Sequence, residues 1–144
     1  MKFSGKVEEA KEFWIIFEEK LKENIEISVK QEQIKRYNLT FTIKKADRKW
    51  KKILDAKEIN KQIADFYFKR HGSSEVKQTI RLRDWTTSLD FSTTYHHLIV
   101  QTDSQLYQAF EFETNLYTYR AMPFGTKHSP IYFATEMEPI MQQI

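Results

Sequence analysis

The chain has 144 residues, 40% hydrophobic and 15% aromatic, which suits one domain with a real core, or part of a larger one, and not a disordered tail. It has no cysteine, which excludes disulfides and cysteine-ligated zinc. The net charge of +3 hides an asymmetry: residues 1–29 carry −2, residues 30–83 carry +10, and residues 84–144 carry −5. A cationic middle beside an anionic end suggests a polyanion partner next to a carboxylate site suited to divalent metal. The competing explanation is lysines that protect exposed strand edges. No apolar run reaches bilayer-spanning length, and the opening MKFSGKVEEAKEFW has no apolar signal core. The expectation is an intracellular soluble protein with no membrane contact, cytoplasm and nucleus not distinguished.

In chain order, VEEAKEFWIIFEEKLKE (7–23) places Val7, Ala10, Phe13, Trp14, Phe17 and Leu21 at helical spacing, an amphipathic helix with an aromatic stripe. Residues 24–36 read as a polar connection with room for a short helix. YNLTFTIKK (37–45) alternates as a strand, Ala46 to Arg48 form a tight link, and WKKILDA returns as a second strand. The turn of this hairpin, KKADRKWKK, has six cationic residues in nine. KEINKQIADFYFK (57–69) has helical spacing, and Ser74 is placed to cap a helix over EVKQTIRL. WTTSLDF reads as a short strand, STTYHH as a turn of helix, and LIVQT, YQAFEFE and LYTYRAM as strands, the last two joined near Thr114 and Asn115. Ser129-Pro130 opens a final helix carrying Phe133, Ala134, Met137, Ile140, Met141 and Ile144, with Pro139 expected to bend it. Helices mixed with mostly antiparallel strands give the α+β class.

The chain has three glycines and three prolines, and one glycine and two prolines fall between Met122 and Pro130. Upstream, Asp90 in Leu89-Asp90-Phe91 ends an apolar strand, where a carboxylate needs a cation: a lysine, or a divalent metal with oxygen ligands. A helix cap over STTYHH is the alternative. His96 and His97 are adjacent and so point apart, and His71 and His128 are isolated. No Walker, dinucleotide-binding or GxSxG pattern is present.

Three blocks stand in order: WKKILDAKEIN after the basic hairpin, then TTSLDFSTTYHHLIV, then QAFEFETNLYTYRAMPFGTKHSPIYFATEM. This order resembles the reverse transcriptases of retroelements, RNA-directed DNA polymerases, and LTR and DIRS-type retrotransposons in particular. It covers about Tyr37 to Ile144 and implies a partial right-hand polymerase fold, fingers plus incomplete palm, behind an N-terminal helical extension over residues 1–36. By this resemblance Asp90 is a catalytic, metal-binding aspartate and the Phe91 carbonyl a further ligand for Mg²⁺. Two-metal phosphoryl transfer uses such a site to activate a primer hydroxyl and neutralise pyrophosphate. Tyr95 matches the steric gate against ribonucleotides. Lys44 and Lys51 match cations for the dNTP triphosphate, the second often arginine in the family. Phe124 and Gly125 belong to the Met-Pro-Phe-Gly turn beside the nucleotide. Trp50, Asp55, Lys57 and Asn60 match the frame of the RNA or DNA template-primer, and Lys127 the return to the palm.

The family also uses adjacent aspartates, usually Tyr-x-Asp-Asp, on a later palm hairpin, and no Asp-Asp pair occurs here. The resemblance therefore implies a domain fragment that stops before that hairpin and does not polymerise alone. The alternative is a catalytically dead, nucleic-acid-binding remnant.

Overall fold

The structure is a computed structural model that describes residues 7–63, 73–87 and 94–143. Its elements are α1 (Val7–Lys22), β1 (Glu26–Ser28), β2 (Tyr37–Lys44), β3 (Trp50–Asp55), α2 (Lys57–Gln62), α3 (Ser73–Thr79), α4 (Thr102–Gln105), β4 (Ala109–Phe112), β5 (Asn115–Tyr119) and α5 (Ser129–Met141). Short 3-10 turns cover Gln31–Gln33 and Thr94–His97. The strands form one sheet in the order β1-β5-β4-β2-β3. β2 and β4 run parallel, and the other pairs are antiparallel.

The aromatic stripe of α1 drives its docking. Phe13 and Phe17, four residues apart, lie on one face and are buried with Ile25, Leu54, Ala56, Phe110, Tyr119 and Ala121. Full burial of each ring contributes about 2–3 kcal/mol. Trp14 borders this contact, its ring 5.0 Å from Phe112 and 39% exposed, while Val7 is 90% exposed. Glu8 and Glu9 open the helix and Lys20 and Lys22 close it, complementing the helix dipole.

β2 and β3 pair from Leu39↔Asp55 to Lys44↔Trp50. Alternation puts Lys52 and Leu54 toward the core and Lys51 and Ile53 on the other face, beside Ile43 and Phe41. The 45–49 turn closes with Arg48 at φ 65°. The β4–β5 hairpin turns through Glu113 and Thr114, both at positive φ, matching the hairpin read from the sequence.

Several expected elements differ. The 24–36 connection contains β1, which pairs with β5 through Glu26↔Tyr119. LIVQT is not a strand: a single bridge, Ile99↔Ala121, gives way to α4, and Gln105 Nε2 donates to the Val100 carbonyl at 2.7 Å. That local bond offers the backbone an alternative to a ladder. Ser74 lies inside α3 rather than capping it. Trp85 to Thr87 are irregular, Trp85 being 99% exposed, and the rest of WTTSLDF lies outside the described residues. The 57–69 helix is described only as far as α2 and residue 63. α5 starts at Ser129 as expected, yet Ile140 and Met141 on its apolar stripe are half exposed.

Candidate functional site

Residues 122–125 form a turn whose four carbonyls are each held by a different element. His96 Nδ1 donates to the Met122 carbonyl at 3.0 Å. Ser129 Oγ, at the start of α5, donates to the Pro123 carbonyl at 2.9 Å. The Leu54 amide of β3 donates to the Phe124 carbonyl at 2.9 Å. Asn60 of α2 donates through Nδ2 to the Gly125 carbonyl at 2.9 Å and accepts from the Lys127 amide at 2.8 Å. Thr126 and Ser129 join their hydroxyls behind the turn. Gly125 sits at φ 120°, and a Cβ there would lie 2.1 Å from the Leu54 carbonyl oxygen. Only glycine fits both the conformation and the close approach. A segment so fully hydrogen-bonded is a pre-set platform rather than a mobile loop.

On this platform Phe124 joins the two outer parts of the site. The Lys51 ammonium lies 3.5 Å from its ring centroid, a cation–π contact worth about 0.5–1 kcal/mol. Tyr95 packs at 5.0 Å on the same ring and at 6.1 Å on Phe133. Burial, then the neighbouring Lys45 charge, lowers the pKa of Lys51. A partly desolvated ammonium with no carboxylate partner among the described residues favours an incoming anion. Lys44 lies over the Trp50 ring at 5.5 Å, one cross-strand pair nearer the hairpin tip. At the far end of β3, Asp55 accepts from the Lys57 amide at 3.4 Å and lies 3.9 Å from its ammonium.

Of the residues singled out in the sequence, Lys51, Tyr95, Phe124, Gly125, Asn60 and Lys127 thus converge. Lys44 and Trp50 extend the surface along the hairpin. Asp55 and Lys57 pair with each other at the start of α2. Asp90 and Phe91 lie outside the described residues. Among the described residues no group of three His, Asp or Glu side chains converges as a metal cage.

One member of the basic block is not a surface cation. Lys52 is buried, its ammonium 2.6 Å from Glu26 Oε1, with both side chains fully enclosed. Rings of Phe110, Phe13, Phe17 and Tyr119 surround the ammonium at 4.0 to 5.5 Å. Burial outweighs the Glu26 charge and lowers the pKa of Lys52 to about 8. Burial, followed by the charge of Glu26 and a hydrogen bond to it, raises that of Tyr119 well above its ordinary value. Beside this pair, Lys20 Nζ lies 2.7 Å from His96 Nε2. This internal network was missed from the sequence. The strand alternation that sets Lys52 in phase with Leu54 was the available signal.

The family model for reverse transcriptase (RNA-dependent DNA polymerase) matches residues 43–144, well over half of the chain. The chain belongs to this family. Solved structures give the fold independently. The native prototype foamy virus protease–reverse transcriptase matches at TM-score 0.81 and 19% identity, over 100% of this chain and 19% of that one. Two foamy viral protease–reverse transcriptases in complex with double-stranded DNA match at TM-score 0.80 and 18% identity. They cover 99% and 100% of this chain and 25% and 30% of theirs. The chain spans less than a third of the length of these structures. The α+β fold is that of a right-hand polymerase, and the chain is a reverse transcriptase domain fragment. Members of the family use divalent metal in general. Among the described residues no helix is long and apolar enough to cross a membrane.

Proposed function

We propose that this chain supplies the fingers and the first part of the palm to template-directed DNA synthesis, residues 37–144 forming that unit and residues 1–36 an N-terminal helical extension, whose α1 packs on the sheet. The observation that carries this reading is the convergence of Lys51, Tyr95 and Phe124 on a turn held by four elements. Lys51 and Lys44 take the triphosphate of a dNTP and, with Lys45, form the cationic hairpin surface that meets the template–primer backbone, and Tyr95 blocks a ribose 2′-hydroxyl. The Phe124–Gly125 backbone supports the nascent base pair, and Trp50, Asn60 and Lys127 guide the RNA or DNA template. Asp55 and Lys57 frame that path by fixing the start of α2. The double-stranded DNA held by two of the structural relatives supports a nucleic-acid partner of this kind.

Asp90 and the Phe91 carbonyl are assigned to Mg²⁺, which would supply charge neutralisation at the transferring phosphate. The resemblance of the three ordered sequence blocks supports a retroelement origin of the LTR or DIRS type as part of this reading. The test is primer extension by a polypeptide that continues this chain through a Tyr-x-Asp-Asp hairpin. Asp90→Asn abolishes extension, and Tyr95→Ala admits ribonucleotides. If extension survives Asp90→Asn, the catalytic assignment fails. If the wild type binds primer–template but extends nothing, the chain is a binding remnant.

A further inference from the structure

Four carbonyls hold the 122–125 turn, but only one is anchored through a side chain that is itself tethered to α1. The His96 ring sits in a 3-10 turn between three elements. Its Nδ1–H donates to the Met122 carbonyl at 3.0 Å, and its Nε2 faces the Lys20 ammonium at 2.7 Å. An ammonium can only donate, so Nε2 must be the unprotonated nitrogen and Nδ1 the protonated one. The ring also meets Phe124 edge-on at 5.1 Å and stacks on Tyr119 at 6.4 Å. Lys20 and His96 are both buried. A buried lysine aimed at a neutral imidazole is costly unless the pair fixes something.

We propose that Lys20 and His96 are positioning residues for the nucleotide pocket, Lys20 locking the His96 tautomer that holds the Met122 carbonyl and the Phe124 ring in place. The inference deepens the functional reading above and rests on it for the word nucleotide. It makes α1, which precedes the matched family region, part of the pocket's support. The groups facing the imidazole are the Lys20 ammonium from α1, Lys51 from β3 and His97 from its own turn. All three disfavour its protonation, and together with burial they outweigh the Met122 carbonyl, whose hydrogen bond favours it.

The test uses the chain itself, with Lys20→Met, which keeps the aliphatic stem, and His96→Phe, which keeps the ring volume. Imidazole nitrogen NMR of the wild type shows protonated Nδ1 and bare Nε2. Amide exchange is then followed at Leu54, which donates to the Phe124 carbonyl, with Phe41 and Ile53, paired across the hairpin, as controls. Each variant speeds Leu54 exchange about tenfold relative to those controls, and Lys20→Arg, which keeps a donor, restores slow exchange. An Nε2-protonated ring, or Leu54 exchange unchanged in both variants, overturns the proposal. If either variant fails to fold, the tautomer and the other variant decide it. The functional half is read in the extended polymerase: Lys20→Met raises the KM for dTTP several-fold at unchanged primer–template affinity. An unchanged KM for Lys20→Met beside a raised KM for Lys51→Glu overturns the positioning role. If Lys51→Glu is silent as well, the nucleotide reading has failed, and the coupling stands or falls on amide exchange alone.

Discussion

Replacing Lys52 by methionine removes one charge from a pair that water does not reach. The methionine fills most of the lysine stem's volume, so the aromatic wall of Phe13, Phe17, Phe110 and Tyr119 stays packed. What remains is the Glu26 carboxylate, previously 2.6 Å from the ammonium and fully enclosed. Breaking a buried pair in this way costs about 3–5 kcal/mol, because the survivor is an uncompensated charge. That is a large part of the ~5–15 kcal/mol that stabilises a typical domain. Glu26→Gln in the same background removes the orphaned charge and recovers about half of the loss or more. The assay is urea unfolding followed by tryptophan fluorescence. With a slope of ~1–3 kcal/mol per molar, the single variant lowers the midpoint by about 1–5 M and the double variant by much less. A Lys52→Met cost below about 1 kcal/mol, or a double variant as unstable as the single one, would refute the buried-pair account.

Gly125→Ala forces a Cβ to within 2.1 Å of the Leu54 carbonyl oxygen at φ 120°. It destabilises the chain by about 3 kcal/mol or more in thermal unfolding. Asn60→Ala frees the Gly125 carbonyl and the Lys127 amide and costs about 1–2 kcal/mol by the same measurement. For His96, burial and then the Lys20 charge depress the pKa from 6.5 to about 4. The unfolded chain takes up the proton first as pH falls through 6.5, so this contribution to stability is complete above that pH and is lost between 6.5 and 4. The loss reaches about 2 kcal/mol at pH 5, and it appears as a pH-dependent urea midpoint in the wild type that flattens in His96→Phe.

What the sequence made legible was local or alternating. The hairpins at 46–48 and 113–114, the aromatic face of α1 and the Ser-Pro start of α5 each carry a turn residue or a period that physics reads directly. β1 was not legible because three residues leave no period, and its central contact is a charged Glu26 that looks like surface. LIVQT looks like a strand because β-branched residues suit one, but Gln105 and the 102–105 turn claim its backbone. Within the site, the turn was marked by its glycine and prolines, and Lys51 by the family pattern. Lys52 was grouped with the surface cations by charge counting, although alternation with Leu54 placed it inside. The Lys20–His96 contact joins residues 76 positions apart, and no spacing rule reaches that far.

The measurement that bears most directly on the central claim is binding of an RNA–DNA primer–template, read by fluorescence anisotropy across a salt series. Wild-type affinity falls linearly in log–log form with salt. Lys44→Glu, Lys45→Glu and Lys51→Glu together weaken binding at low salt and reduce the slope by up to about 3. A folded wild type that binds independently of salt, or a triple variant that binds as tightly as the wild type, would contradict the account.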